Sequence, residues 1–294
     1  MASDKKLIIA NWKMNLNTHE SSLYLHKLSK LVKTHRDVEI VLAPTTLALQ
    51  SLSLQVNLKQ FKLAAQNFYW RDLGPYTGEV SATQLRGVVQ YALVGHSERR
   101  HIFNENDKDI RNKVAAAIRN NIRPILCIGE TAWEHANGET KDVIHDQLIG
   151  GLANITSAEL GQVVIAYEPV WAISAGKDTT PINVIPADVE MAINAVRSQI
   201  KHLYGASASE SIQVLYGGSV TAESVADYFA LPGVDGLLVG GASLNANTFN
   251  EIIKKAHKSL TADNKDYGWI GERSRFRRNR PSGKLIKIEF ASRK

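Results

Sequence analysis

Several polar residues of this 294-residue chain stand where packing alone gives no reason for them. Asn11 and Lys13, His96, and Glu168 each follow closely on a short apolar run. An amide, an ammonium, an imidazole and a carboxylate together suit proton transfer. A carboxylate can take a proton from carbon beside a carbonyl. An imidazole can polarise that carbonyl or move protons between its oxygens, and an ammonium can neutralise the charge that develops. Two further apolar runs end in Gly217-Gly218-Ser219 and Gly240-Gly241. Glycines close to a helix start let backbone N–H groups approach an anion such as phosphate. The chain has no His-Glu-x-x-His spacing, no cysteine pair and no nucleophile elbow. The combination points to metal-free, cofactor-free acid–base chemistry on a small phosphorylated carbonyl compound. Each group also has an ordinary reading. Glu168 could be a solvated strand-end carboxylate, His96 a helix cap, Lys13 a surface cation, and the glycines tight turns. Spacing alone does not bring them together.

The elements that must position these groups alternate regularly. Strands are expected over Lys6–Ala10, Val38–Ala43, Lys62–Ala65, Tyr91–Gly95, Arg123–Ile128, Gln162–Tyr167, Ile212–Tyr216 and Val234–Val239. Most are continuously apolar, as parallel strands buried on both faces are. Amphipathic helical segments follow, clearest at Ser21–Lys33, Asp107–Asn120, Val189–His202, Ala222–Phe229 and Thr248–His257. Thr18, and Thr221 in Thr221-Ala222-Glu223, read as helix-start signals. Eight strand–helix units in about 250 residues fit a single closed (β/α)8 barrel. An open doubly wound sheet usually carries Gly-x-Gly-x-x-Gly after its first strand. Here that place holds Asn11-Trp12-Lys13-Met14-Asn15, without a glycine. In a barrel the active site gathers at the carboxyl ends of the strands, and the loops after strands seven and eight often hold phosphate.

The charge is unevenly spread. The net +6 resides in residues 261–294, which hold ten Lys/Arg against four Asp/Glu; residues 1–260 hold 25 of each sign. The body therefore gives no bulk-charge reason to bind nucleic acid or membrane. No apolar run is long enough for a membrane span. The single cysteine, Cys127, excludes an internal disulfide and reads as buried packing, so the expected location is cytoplasmic. The domain boundaries expected are 1–260 for the barrel and 261–294 for a basic C-terminal extension. The extension interleaves arginines with Tyr267, Trp269, Phe276 and Phe290. It reads as a nucleic-acid arm, or as a disordered or artificially appended segment, and its few apolar residues favour the latter. A filter-binding comparison of the full chain with a 1–260 truncation separates these readings.

Seven motifs occur in order: Asn11-Trp12-Lys13-Met14-Asn15, Thr77-Gly78-Glu79-Val80-Ser81, Gly95-His96-Ser97-Glu98-Arg99-Arg100, Cys127-Ile128-Gly129-Glu130, Tyr167-Glu168-Pro169-Val170-Trp171-Ala172-Ile173, Tyr216-Gly217-Gly218-Ser219 and Gly240-Gly241. Through nearly all of residues 6–258 the sequence resembles the triosephosphate isomerase family. The resemblance implies a TIM barrel that interconverts glyceraldehyde 3-phosphate and dihydroxyacetone phosphate. It implies that Glu168 is the catalytic base and His96 a neutral electrophile at a helix N-terminus. Lys13 and Asn11 would contact substrate, with Glu98 supporting Lys13. Backbone amides near Ser174, Ser219, Gly240 and Gly241 would hold the phosphate. Pro169–Lys177 would form a lid, with Pro169, Val170 and Trp171 at one hinge and Ala175, Gly176 and Lys177 at the other. The loop carrying Thr77 would enter a second subunit beside its Asn11 and Lys13, implying a homodimer.

Two departures from the family pattern bear on this. Ser174 stands where the family has a lid glycine whose N–H meets phosphate, and Ala175 lacks a threonine hydroxyl. A serine resists positive φ, so closure is expected to be weaker or slower. Unchanged kcat and KM in Ser174→Gly would remove that expectation. Near Asn104 the family commonly has glycine, and asparagine tolerates the left-handed conformation better than most residues.

Overall fold

The computed structural model of the protein describes residues 5–173 and 184–275, with side chains described as far as residue 260. Its strands are β1 (Lys6–Asn11), β2 (Val38–Ala43), β3 (Phe61–Ala65), β4 (Tyr91–Val94), β5 (Arg123–Ile128), β6 (Val164–Tyr167), β7 (Gln213–Tyr216) and β8 (Gly236–Val239). Each pairs in parallel with the next, and β8 pairs with β1 to close the ring. All eight expected strands are present, and the open-sheet alternative is excluded. Differences lie at the ends. β4 stops at Val94 because Gly95 turns the chain with φ 69, and β6 and β8 each begin two residues later than the sequence suggested.

Continuous apolar runs result from burial on both faces. One set of side chains fills the barrel interior, including Leu7, Ile9, Val41, Leu93, Ile125, Val164, Ala166, Leu215 and Leu238. Their neighbours along the same strands, such as Ile8, Ala10, Ile165, Val214 and Val239, join the layer beneath the helices. Successive side chains of a strand point to opposite faces, so a strand buried twice has no polar positions to spare.

The helices that cover this sheet follow from local chemistry. The first runs Thr18–Leu31, and its cap is Asn17, one residue before the expected Thr18. The Asn17 side chain accepts from the Glu20 N–H at 3.0 Å, and Glu20 Oε2 accepts from the Asn17 N–H at 2.8 Å. This reciprocal pair satisfies two N–H groups that a helix start leaves free. Thr221 does not start the helix expected from Ala222: the helix runs Val225–Phe229 with Ser224 at its cap position, and the Thr221 hydroxyl oxygen accepts from the N–H groups of Glu223 and Ser224 in the turn before it. Asn104 adopts φ 53, the left-handed conformation. The last helix runs from Ala246 to Arg275, so it crosses the expected domain boundary at residue 260 without a break. Residues 276–294, the most basic part of the tail, lie outside the described residues.

Candidate active site

The alternation along each strand decides which residue faces the mouth of the barrel. Leu7 and Ile9 point inward, and the next inward position is Asn11. Val164 and Ala166 point inward, and the next is Glu168. Leu215 leads in the same way to Gly217, and Leu238 to Gly240. The polar and glycine positions are thus continuations of the apolar interior rows at their open end. His96 breaks the parity. Gly95 turns the chain, and His96 becomes the cap of the short helix Ser97–His101.

Asn11, Lys13, His96, Glu168, Gly217, Gly218, Ser219, Gly240 and Gly241 all line one cleft of about 580 Å³. Glu168 is 2% exposed, and His96 is 6% exposed. His96 Nε2 lies 3.3 Å from Glu168 Oε1. The other carboxylate oxygen, Oε2, accepts from the Ser97 N–H at 3.3 Å. His96 Nδ1 accepts from the Glu98 N–H at 3.2 Å. An imidazole nitrogen that accepts cannot carry the proton, so the neutral ring has its hydrogen on Nε2. That N–H points into the cleft beside the carboxylate.

Lys13 is held from several directions. Its Nζ lies 2.7 Å from Glu98 Oε1, and its N–H donates to Asn11 Oδ1 at 3.1 Å. Gln66 Nε2 donates to the carbonyls of Lys13 at 2.9 Å and Ala43 at 2.8 Å. Lys13 has φ 51, a conformation that costs energy for a residue with a Cβ. Residues held in this way cluster where a side chain must be aimed. Glu98 Oε2 also comes within 3.7 Å of His96 Nδ1, so one carboxylate spans the ammonium and the imidazole.

The glycines divide into two kinds. A Cβ at Gly217 would lie 2.8 Å from Glu168 Cγ, and one at Gly218 would lie 2.0 Å from the Tyr216 hydroxyl. These two are required by the protein's own packing. A Cβ at Gly241 would meet nothing within 4 Å, and one at Gly240 only Lys13 Cε at 3.7 Å. There the folded chain tolerates a side chain, so the bare backbone leaves room for a ligand.

The N-terminal hinge of the expected lid is anchored. Val170–Ala172 forms one tight turn after Pro169. The Trp171 indole N–H donates to Glu130 Oε1 at 2.8 Å, and the Tyr167 hydroxyl donates to the same oxygen at 3.0 Å. The His135 ring stacks on Trp171 at 4.1 Å. Ser219 donates its hydroxyl to the Ala172 carbonyl at 2.9 Å. Ser174, Ala175, Gly176 and Lys177 lie outside the described residues. Thr77 is exposed on its loop and does not line this cleft. Cys127 is buried in the interior, where burial and then the nearby Glu168 push its thiol well above the ordinary range.

Sequence reasoning gave no role to Glu130, Gln66 or His135. Glu130 carried a usable signal, because it is a carboxylate two residues past the apolar run of β5. Gln66 did too, standing one residue past β3. His135 lies on a short helix, and nothing in its local sequence marks it.

A closed parallel barrel with a carboxylate, an imidazole and an ammonium around one cleft at its carboxyl end is a (β/α)8 barrel equipped for proton transfer. Comparison with known proteins narrows this class. The family profile described as triosephosphate isomerase matches residues 6–256. Triosephosphate isomerase of Chloroherpeton thalassium is 40% identical over 255 residues, covering 86% of this chain and 99% of that protein. That of Trichlorobacter lovleyi is 39% identical over 84% of this chain and 97% of that protein. That of Caldanaerobacter subterraneus is 37% identical over 85% and 98%. The chain belongs to the triosephosphate isomerase family.

Proposed function

We propose that this chain interconverts D-glyceraldehyde 3-phosphate and dihydroxyacetone phosphate through an enediolate, with Glu168 as the base. Family membership over the whole barrel supports the reaction. The observation that carries the assignment of roles is the buried pairing of Glu168 with the His96 Nε2 position, in the cleft that also holds Lys13. Glu168 takes a proton from the carbon beside the carbonyl and returns it to the former carbonyl carbon, while the hydroxyl proton passes to the other oxygen by way of His96, so no atom is gained or lost. Both Glu168 oxygens are engaged in this structure, and substrate binding frees one of them. His96 donates its Nε2 hydrogen toward the substrate oxygens, where negative charge develops. Lys13 neutralises that charge and the phosphate, and Asn11 contacts substrate beside it. Backbone amides at Ser219, Gly240 and Gly241 take the phosphate.

The test is isomerisation of glyceraldehyde 3-phosphate by the purified chain, coupled to NADH oxidation, with Glu168→Asp in parallel. Robust activity that falls sharply in the variant supports both the reaction and its base. A folded wild-type protein without activity would sink the proposal.

A homodimer is the assembly we favour. Met14, beside Lys13, is 94% exposed, and Thr77 presents an exposed loop with no place in its own cleft. A second copy covering Lys13 with the Thr77 loop accounts for both. Thr77→Arg is expected to yield monomers of reduced activity by analytical ultracentrifugation and assay; a fully active wild-type monomer would overturn this. Among the described residues no helix is long and apolar enough to cross a membrane. We place the chain in the cytoplasm, in keeping with its single buried thiol.

A further inference from the structure

At the other end of the barrel the described residues contain one cluster whose donor set suits a metal ion. His35 and Asp37 lie on the connection from the helix Thr18–Leu31 to β2, and His257 lies on the last helix. One ligand atom from each, two imidazole nitrogens and a carboxylate oxygen, all lie within 4.8 Å of one another. His257 Nδ1 stands 3.0 Å from Asp37 Oδ1 and 2.8 Å from Oδ2. The His35 and His257 ring centroids are 3.8 Å apart. All three side chains are half-buried.

We propose that His35, Asp37 and His257 form a site for a borderline divalent transition-metal ion, of which Zn2+ is the type. Two ligand atoms that each bind one tetrahedral ion at about 2.0–2.2 Å sit roughly 3.3–3.6 Å from each other. The His257–Asp37 separations of 3.0 and 2.8 Å are a little shorter, so the pair opens slightly to admit the ion. Their hydrogen-bonded hydrogen occupies the place the ion takes; when the metal enters, that hydrogen leaves Nδ1 and the neutral ring carries its one N–H on Nε2. The His35 nitrogen lies within 4.8 Å of the other two ligand atoms, and its ring must turn to bring that nitrogen into the same sphere. Two imidazoles with one carboxylate select zinc, nickel or copper over magnesium and calcium, which prefer all-oxygen shells. A cleft of about 300 Å³ lined by His35, Thr34 and Gln60 opens beside the cluster, giving entry and room for water as the remaining ligands.

The site would act as a staple. The Asp37 carbonyl accepts from the Lys6 N–H at 2.9 Å, so this ligand sits at the β1–β2 pairing. His257 is 220 residues away, on the helix that closes the ring. An ion held by both is lost on unfolding, so it raises the stability of the folded state as its concentration exceeds Kd. The catalytic cleft lies at the opposite end and is untouched.

The test uses the full chain, stripped with chelator and then titrated with Zn2+, and with Mg2+ as a control. Thermal unfolding is expected to rise with Zn2+ in the wild type and to stay level with Mg2+. His35→Gln should weaken Zn2+ binding by calorimetry by at least the roughly 10–100-fold that loss of a supporting group costs, and should abolish the thermal shift. His35 holds no backbone element in place, so this variant tests the site even where His257→Gln fails to fold. Unchanged isomerase activity in metal-free His35→Gln confirms that it folded. Co2+ should give a visible absorption band with the wild type alone. No Zn2+ shift in the wild type, or an equal shift and Kd in His35→Gln, overturns the proposal.

Discussion

The two ends of this barrel use the same kinds of side chain to opposite effect. At the amino end the charges close on one another. Asp235 takes the Arg197 guanidinium at 2.6 Å and the Lys6 ammonium at 3.3 Å, and it also accepts from the Val214 N–H at 3.0 Å. Arg197 in addition donates to the carbonyls of Ser209 and Gly233. At the carboxyl end, His96 meets Glu168 at 3.3 Å and Lys13 meets Glu98 at 2.7 Å, yet Lys13, His96 and Glu168 all face a cleft of about 580 Å³. A charge whose partners are supplied by the chain itself contributes to stability. A charge that keeps one face open can act on a ligand. The difference teaches that function here is marked by where a polar group leaves space, not by its type or its burial.

That contrast can be broken or sharpened by experiment. The largest effect is expected from Glu168→Gln, which keeps the shape of the cleft but removes the base. It should lower kcat by about 10³–10⁴-fold, the upper part of the range for general-base catalysis, with little change in unfolding temperature. Steady-state kinetics beside a thermal melt checks this; a large loss of stability with modest loss of rate would place Glu168 among the structural charges. Lys13→Met should cost roughly 10²–10³-fold in kcat/KM, as loss of one charge-stabilising donor does. A drop of under tenfold would mean that the strained Lys13 backbone serves packing rather than catalysis.

The amino end should answer in the opposite currency. Arg197→Ala removes an ion pair and two charged hydrogen bonds, and should cost about 2–3 kcal/mol. In a chain of this size that is roughly 3–6 °C of melting temperature, while kcat of the folded fraction stays at the wild-type value. A fall in kcat at unchanged melting temperature would show that the two ends are coupled.

The smallest expected effect concerns a closed pair on the catalytic side. Glu105 is buried between Lys113 at 2.6 Å and Arg99. Burial opposes its ionisation, but the two cations outweigh it and hold the carboxyl below its ordinary value. A carboxyl lowered in the folded state binds fewer protons there than in the unfolded chain. Its stabilisation is therefore present above the ordinary glutamate value, near 4.3–4.5, and is lost as pH falls through the folded value. Glu105→Gln should flatten the acid limb of melting temperature against pH, whatever it does to stability at neutrality. An unchanged slope would assign the acid limb to other groups, such as Asp72, which Arg119 holds low.

Much of this protein was legible because its sequence rules are local. The apolar runs gave eight buried strands, and each polar residue just past a run marked the mouth. Asn11 and Glu168 were readable by parity alone, being the next inward positions after Ile9 and Ala166. The cap of the first helix was misplaced by one residue, because Asn17 and Thr18 are both good caps and only the reciprocal bond with Glu20 decides between them. The run of helix past residue 260 was missed because the tail was read from its charge, whereas its backbone continues a helix begun on the barrel.

By itself, then, the sequence determined the class of fold, the order of its elements and the identities of the groups that could move a proton. These follow from periodicity and residue chemistry, which act over a few positions. Only the tertiary structure decided that His96 Nε2 meets Glu168, that Glu98 spans Lys13 and His96, and that His257 meets Asp37 across 220 residues. Those meetings depend on closure of the ring from β8 to β1, a long-range event that leaves no trace in local spacing.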